Sequence, residues 1–360
     1  MRNRLARAAT VTILTAIMLT GTAGSALACG GLVTPNGTIN LLKTTTLAAY
    51  HEGIEHYVTS FEFAGKGSEV GSIIPLPGVP TDVIKGGDWT LQRLIIETQP
   101  QLQRATALSA VAEDAAGAEV LLEKKIDALD ITVLKGGGTA VGNWAREHGY
   151  FLPPDAPEVL DFYAGRSPIF LAARFNAERA ASQGVQTGQG TPVHIVIPTP
   201  NPWVPLRILA LGRKASEVVQ ADVYLLTDRE PETLPQAERA RGPLNEDQRG
   251  LIQEVSEPAS TGLLADLRSD RGMKWLPESG MWLTYIRINE TAANLNHDLA
   301  IDASGYGRPS PVAAGYLAGA PGAAPWPVLW TVMAALVAVA LLVAATDPGV
   351  GRRAARVFRR

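Results

Sequence analysis

The chain has 360 residues, 46% of them hydrophobic and 19% charged, with 35 Gly, 25 Pro and a single Cys. This excludes a disordered chain, a collagen-like repeat and a disulfide-stapled small domain, and one cysteine excludes a multi-cysteine zinc or iron–sulfur centre. The net charge of −3 conceals a division: with the basic residues of the two ends set aside, the middle holds 24 basic and 34 acidic residues, near −10, which opposes a nucleic-acid partner because phosphates need a basic face.

In chain order, residues 1–28 carry Arg2, Arg4 and Arg7, an apolar stretch from Ala8 to about Leu19, and small residues ending in Ala26-Leu27-Ala28. That is the order of a secretory signal, and its Ala-x-Ala site makes Cys29 the first mature residue. Cys29 is a lipidation candidate, although Ala26 stands where a lipoprotein signal usually has a large aliphatic residue. A free thiol or an interchain pair are the alternatives.

Thr38 to Ile74 reads as strands. Leu41–Tyr50, Glu52-Gly53 and Ile54–Phe63 have the form of a two-residue hairpin, and Val70–Ile74 adds a third strand. Asp88 is placed to cap a short helix with Leu91, Leu94 and Ile95 on one face, stopped by Pro100. Gln101–Ala118 is a weak helix or linker. Ile126–Leu134 reads as a strand ending in Gly136-Gly137-Gly138, after which Thr139 caps a helix. In that helix Val141, Trp144, Ala145 and His148 follow at i, i+3, i+4 and i+7, closed by Gly149.

Asp155 with Glu158 has the spacing of a capping box for a helix bearing Val159, Phe162 and Tyr163. Strands are expected at Ile169–Phe175, Val193–Ile197, Leu206–Leu211, Asp222–Thr227, Trp282–Ile288 and Asn294–Ile301, and a helix at Gly262–Arg271. Strand runs interrupted by helices without strict alternation imply an α+β body of antiparallel or mixed sheets with inserted helices.

From Ser304 the chain becomes Gly/Pro/Ala-rich, a linker composition. Val328–Ala345 then carries no charge, and Trp326 and Trp330 sit where an interfacial aromatic anchor belongs; its eighteen residues, at about 1.5 Å each, span roughly 27 Å, enough for one bilayer crossing. Arg352, Arg353, Arg356, Arg359 and Arg360 follow and mark the cytoplasmic side. The expected organisation is a signal at 1–28, an exported body at 29–303, a linker at 304–325, a transmembrane helix at 326–345 and a basic cytoplasmic tail at 346–360.

The runs Ile73-Ile74-Pro75-Leu76-Pro77-Gly78-Val79-Pro80 and Val196-Ile197-Pro198-Thr199-Pro200-Asn201-Pro202-Trp203 echo each other. Each is a β-like run ending in alternating prolines, which cannot donate to a ladder, so each strand stops or becomes an edge there. They are either rigid strand exits or the walls of a proline-lined groove bearing Trp203.

The set Ala28-Cys29-Gly30-Gly31, Ile74-Pro75-Leu76-Pro77-Gly78, Gly87-Asp88-Trp89, Trp144 with His148-Gly149-Tyr150, and Tyr163 with Ser167-Pro168-Ile169-Phe170 resembles a bacterial family. It is the domain-of-unknown-function family numbered 2330. The likeness runs over roughly residues 28–300, including Asn201-Pro202-Trp203-Val204-Pro205-Leu206-Arg207 and Tyr224-Leu225-Leu226-Thr227-Asp228. It implies an exported, often membrane-anchored protein, and no reaction, cofactor or catalytic residue. Some relatives carry a second Cys soon after the first; here Leu32, Val33 and Thr34 stand there, so a local disulfide does not carry over.

The chemistry-bearing residues are few. His51-Glu52-Gly53-Ile54-Glu55-His56 misses both zincin spacings, because the second His falls at i+5. In a hairpin His51 and His56 lie diagonally on one face and Glu55 on the other, which makes the two histidines weak metal candidates lacking a third ligand. His148, near a helix C-terminus, suits the open carbonyls there, or forms a site with Tyr150. His297 and Asp298 are neighbours and, in a strand, would face opposite ways.

Gly136-Gly137-Gly138 is a strand-to-helix turn; Val141 occupies the third glycine position of a dinucleotide fingerprint. No cofactor is implied. Trp203, His148, Tyr150 and Trp89 are the ligand-binding candidates. Two functions remain open: a binding or structural ectodomain of the cell envelope, holding a protein or polymer partner near the membrane, and an envelope hydrolase or other enzyme assembled from distant residues such as His51, His56 or His148.

Overall fold

The computed structural model describes residues 31–33, 40–64, 69–98, 118–182, 191–242, 247–302 and 308–317. The signal segment, Cys29, Gln101–Gly117, the transmembrane stretch and the arginine tail lie outside the described residues. The compact unit runs to Leu317, and residues 318–360 make up a second unit. Among the described residues no helix is long and apolar enough to cross a membrane.

The body is mixed α+β, mostly β, with three sheets among the described residues. The first has five strands: β1 (Gly31–Val33), β4 (Glu69–Leu76), β8 (Ile169–Asn176), β7 (Leu129–Lys135) and β6 (Glu119–Ile126), all antiparallel. The second has eight: β13 (Glu238–Arg239), β14 (Gly250–Pro258), β15 (Trp282–Thr291), β11 (Val218–Thr227), β2 (Asn40–His51), β3 (Ile54–Ala64), β9 (Val193–Pro198) and β5 (Asp82–Lys85). The third is small: β10 (Trp203–Val204), β16 (Leu299–Asp302) and β12 (Glu232–Leu234).

The β2–β3 hairpin forms as expected. Glu52 and Gly53 both take positive φ, 50° and 82°, the twist that matches two strands joined by a two-residue turn. The next strand, β4, does form but leaves this sheet and pairs with β1 and β8. Alternation then buries both faces of the large sheet. Leu47, Val58, Tyr224 and Leu226 face α1 (Thr90–Thr98) and α5 (Thr261–Ser269), while Ala48, Tyr57, Val223 and Leu225 join the core shared with the other two sheets.

Several expectations are corrected by long-range partners. The α1 amides are capped by Asp270 and not by Asp88: its carboxylate accepts the backbone N–H of Asp88, Trp89 and Thr90 at 3.2, 3.1 and 2.7 Å and the Thr90 hydroxyl at 2.7 Å. A Cβ at Gly87 would lie 2.0 Å from that carboxylate, so only glycine lets Asp270 in. Ile126–Leu134 is the second half of a hairpin, β6–β7, turning at Asp127 with φ 47°.

The helix α2 (Gly138–Glu147) begins one residue before Thr139 without a side-chain cap. A Cβ at Gly138 would come within 2.3 Å of Asp161, so this glycine serves the close approach of α3 (Ala156–Ala164). The capping box of α3 does not close: Asp155 accepts Gly212 N–H at 3.0 Å and Glu158 pairs with Arg207.

Leu206–Leu211, expected as a strand, is a 3-10 turn over Arg207–Ala210. Buried Asp298 takes the N–H groups of Leu206 and Arg207 at 2.7 and 2.9 Å, and the Tyr163 hydroxyl takes that of Ile208 at 2.8 Å, so these donors never reach a ladder. Asn294–Ile301 yields only β16, with His297 half-exposed against Tyr316 and Asp298 fully buried. Residues 308–317, within the expected linker, pack on the body: Asp298 N–H donates to Ala314 at 2.9 Å, and Arg166 binds Asp298 and the Ala313 carbonyl.

Candidate functional site

The site grows from the end of α2. Trp144 and His148 are one turn apart, and their rings stack at 3.9 Å and 16°. His148 Nδ1 lies 2.6 Å from the Trp144 carbonyl; a carbonyl only accepts, so Nδ1 carries a proton, and in the neutral tautomer of the ring Nε2 is then the acceptor. The helix stops in a Schellman turn: Gly149, at φ +78°, donates to Arg146 and Tyr150 donates to Ala145 at 2.8 Å. This reversal brings the Tyr150 ring back to within 5.8 Å of the Trp144 ring. Tyr150 then lies across β4 at Gly71, where a Cβ would stand 2.2 Å from its Cε1.

The opposite wall is the five-stranded sheet. Lys125 on β6 pairs in register with Asp130 on β7, Asp130 with Arg174 on β8, and Arg174 with Gly71 on β4. Residues directly opposite share a face, so a cation, an anion and a second cation stand in a row beside the glycine that seats Tyr150. Arg174 donates to the His148 carbonyl at 3.3 Å, and Arg179 in α4 (Ala177–Ser182) binds Asp130 Oδ1 at 3.0 Å. Between the walls is a cavity of about 240 Å³ whose lining includes Glu123, Thr132, Asp130, Arg174, Trp144 and Tyr150. Its rim is open at the exposed Glu123 and Lys125.

Three of the lining residues carry a buried polar atom that lacks a hydrogen-bond partner: Trp144 Nε1, His148 Nε2 and Asp130 Oδ2. Buried polar groups left this way cost roughly 1–3 kcal/mol each, so three around one cavity mark a surface shaped for something other than its own stability. Burial, with Asp130 adding to it and Arg174 opposing, raises the Tyr150 hydroxyl above its ordinary value. It stays a neutral phenol.

Of the ligand candidates, the structure brings His148 and Tyr150 together here. Trp203 lies elsewhere, 3% exposed, stacked on Tyr163 at 5.7 Å with the Arg166 guanidinium 5.0 Å above it. The two proline-ended strands do meet, a Cβ at Gly78 falling 3.0 Å from the Pro198 carbonyl. Trp89 flanks the start of α1, its N–H held by Asp270. His51 pairs with Asp228 at 2.6 Å, whereas His56 meets His194 at 2.9 Å and stacks on Trp275 at 3.5 Å. Among the described residues no group of three His, Cys, Asp or Glu is placed to hold a metal ion.

Trp144, on the apolar stripe of its helix, is a core residue, 3% exposed, and what the sequence alone does not single out is the Lys125–Asp130–Arg174 row. Its signal was present: Arg174 interrupts the apolar run of β8, and Asp130 that of β7. Glu55, on the face of β3 opposite His56, is also unforeseen. It is fully buried, and burial lifts its carboxyl to about 8. The Trp203 backbone N–H favours its ionised form without completing a hydrogen bond of ordinary geometry, which leaves both oxygens without a partner.

Comparison with known proteins adds family membership. No curated protein matches the chain. Among solved structures, baculovirus P35 is 8% identical, with 74% of this chain and 97% of that one covered and a TM-score of 0.39. A mutated baculovirus P35 after caspase cleavage is 10% identical, covering 72% and 99%, with a TM-score of 0.38. Both scores are too low to establish a shared fold. A family model described as an uncharacterized protein conserved in bacteria (DUF2330) matches residues 23–242, a span that holds every residue lining the cavity; the chain belongs to this bacterial family.

Proposed function

We propose that this chain is a membrane-tethered binding protein of the bacterial cell envelope, exported by its N-terminal segment and held by one C-terminal helix, with its ligand seated between α2 and the five-stranded sheet. The observation that carries the binding reading is the set of three unpartnered buried polar atoms around one open cavity. The order of signal, acidic body, linker, apolar stretch and arginine cluster supports the location.

Two measurements test it. External protease added to intact cells should digest the body, and removal of residues 326–360 should release it from the membrane; protection, or unchanged attachment, overturns the location. Native mass spectrometry after incubation with the low-molecular-mass fraction of the envelope should reveal an adduct on the wild-type chain that is lost in Trp144→Phe/His148→Phe. An adduct-free wild type overturns the binding reading.

A further inference from the structure

Resting on that reading of the cavity, we infer that its ligand is a neutral saccharide ring, recognised through adjacent hydroxyls by Asp130 Oδ2, His148 Nε2 and Trp144 Nε1. The argument begins with charge. Of the two anions in the lining Asp130 is the less exposed, but Arg179 already binds its Oδ1 at 3.0 Å, and Lys125 and Arg174 flank it in register on both sides. An ammonium entering beside Asp130 would face three cations, so the partner that Oδ2 lacks is an uncharged donor. A bare anion, although Lys124, Lys125 and Arg174 also line the cavity, brings acceptors only and leaves Asp130 Oδ2 and His148 Nε2 without a donor.

The three unpartnered atoms are therefore two acceptors and one donor that carry no uncompensated charge. A hydroxyl donates and accepts at once, so neighbouring hydroxyls on one ring can satisfy all three. The C–H face of such a ring is apolar and suits the aromatic wall of Trp144 and Tyr150. The size agrees, since 240 Å³ holds one small ring and not an extended chain. A blocked peptide amide also offers one donor and one acceptor, but it leaves the third atom unmet.

The test uses the full chain labelled with 5-fluorotryptophan, in micelles of a detergent without a sugar headgroup. The Trp144 fluorine resonance is assigned by its disappearance in Trp144→Phe. The probes are glucose, galactose, mannose and N-acetylglucosamine, against ethanolamine, acetate and N-acetylalanine methylamide. At least one sugar should shift the Trp144 resonance saturably, and His148→Phe, which keeps the ring stack and removes Nε2, should weaken that response at least tenfold. A shift with a charged or amide probe and none with sugars overturns the ligand class while leaving the binding reading intact. No shift with any probe also overturns the class, and the envelope-fraction adduct then decides the reading separately. A sugar response untouched by His148→Phe overturns the assignment of these atoms.

Discussion

The His148 ring lies flat on the indole of Trp144 and donates its Nδ1 proton to the carbonyl of the same residue, 2.6 Å away. One residue is thus both platform and tether, and the pair fixes which imidazole nitrogen is left without a partner. His148→Asn should keep an interaction with the open carbonyls but lose the stack, a cost of about 0.5–1.5 kcal/mol. Chemical denaturation checks this, and Trp144 fluorescence should shift with it.

Gly71 is the seat of Tyr150. In Gly71→Ala the new methyl would stand 2.2 Å from Cε1 and 2.3 Å from Cδ1 of the ring, and overpacking of this kind costs about 1–3 kcal/mol. Tyr150→Ala opens the space, so the double variant should be more stable than the sum of the two single changes predicts. A thermodynamic cycle measures the difference; strict additivity would show that the ring does not rest on Gly71.

Buried titrating groups should shape the pH dependence of stability. Glu55 keeps its proton to about pH 8 in the folded chain but releases it near 4.5 when unfolded, so its contribution falls as pH rises between those values. Burial holds His56 and His194 neutral down to about 3 and 4, against 6.5 unfolded, so theirs falls as pH drops below 6.5. The combined contribution of the three peaks near pH 6.5. Glu55→Gln should flatten the alkaline limb, which otherwise slopes by about 1.4 kcal/mol per pH unit; urea midpoints between pH 5 and 9 would show it.

Asp270 joins α1 to the end of α5. Asp270→Ala strands three backbone amides and a hydroxyl, at a cost of about 1–3 kcal/mol. Amide hydrogen exchange at residues 88–90 should accelerate far more than in the β2–β3 hairpin.

Trp203 is a core residue in this structure. Trp203→Ala should cost about 3–5 kcal/mol, lower the melting temperature and leave the Trp144 ring contacts unchanged. Equal stability of the variant would return Trp203 to the list of ligand residues.

Elements whose signals act within about a dozen residues were legible in the sequence: the β2–β3 hairpin through its Glu52-Gly53 turn, the α1 stripe, and α2 down to the bond that His148 makes with its own helix. Local turn chemistry and periodicity suffice for these, because the groups concerned meet whatever the rest of the chain does. Capping was misread wherever a distant carboxylate competed, as Asp270 does for α1 and Asp298 for the turn at Arg207–Ala210. The β6–β7 hairpin was half hidden because β6 carries Glu123 and Lys125 on the cavity face, where an apolar alternation would otherwise announce a strand. His148 and Tyr150 were visible as residues, being close in sequence and flanking a glycine stop. Their opposite wall was not: Lys125, Asp130 and Arg174 lie on three strands, and cross-strand register alone sets them in one row. Register is decided when sheets pair and pack, so the aromatic half of this site was written along one helix and the polar half exists only in the folded chain.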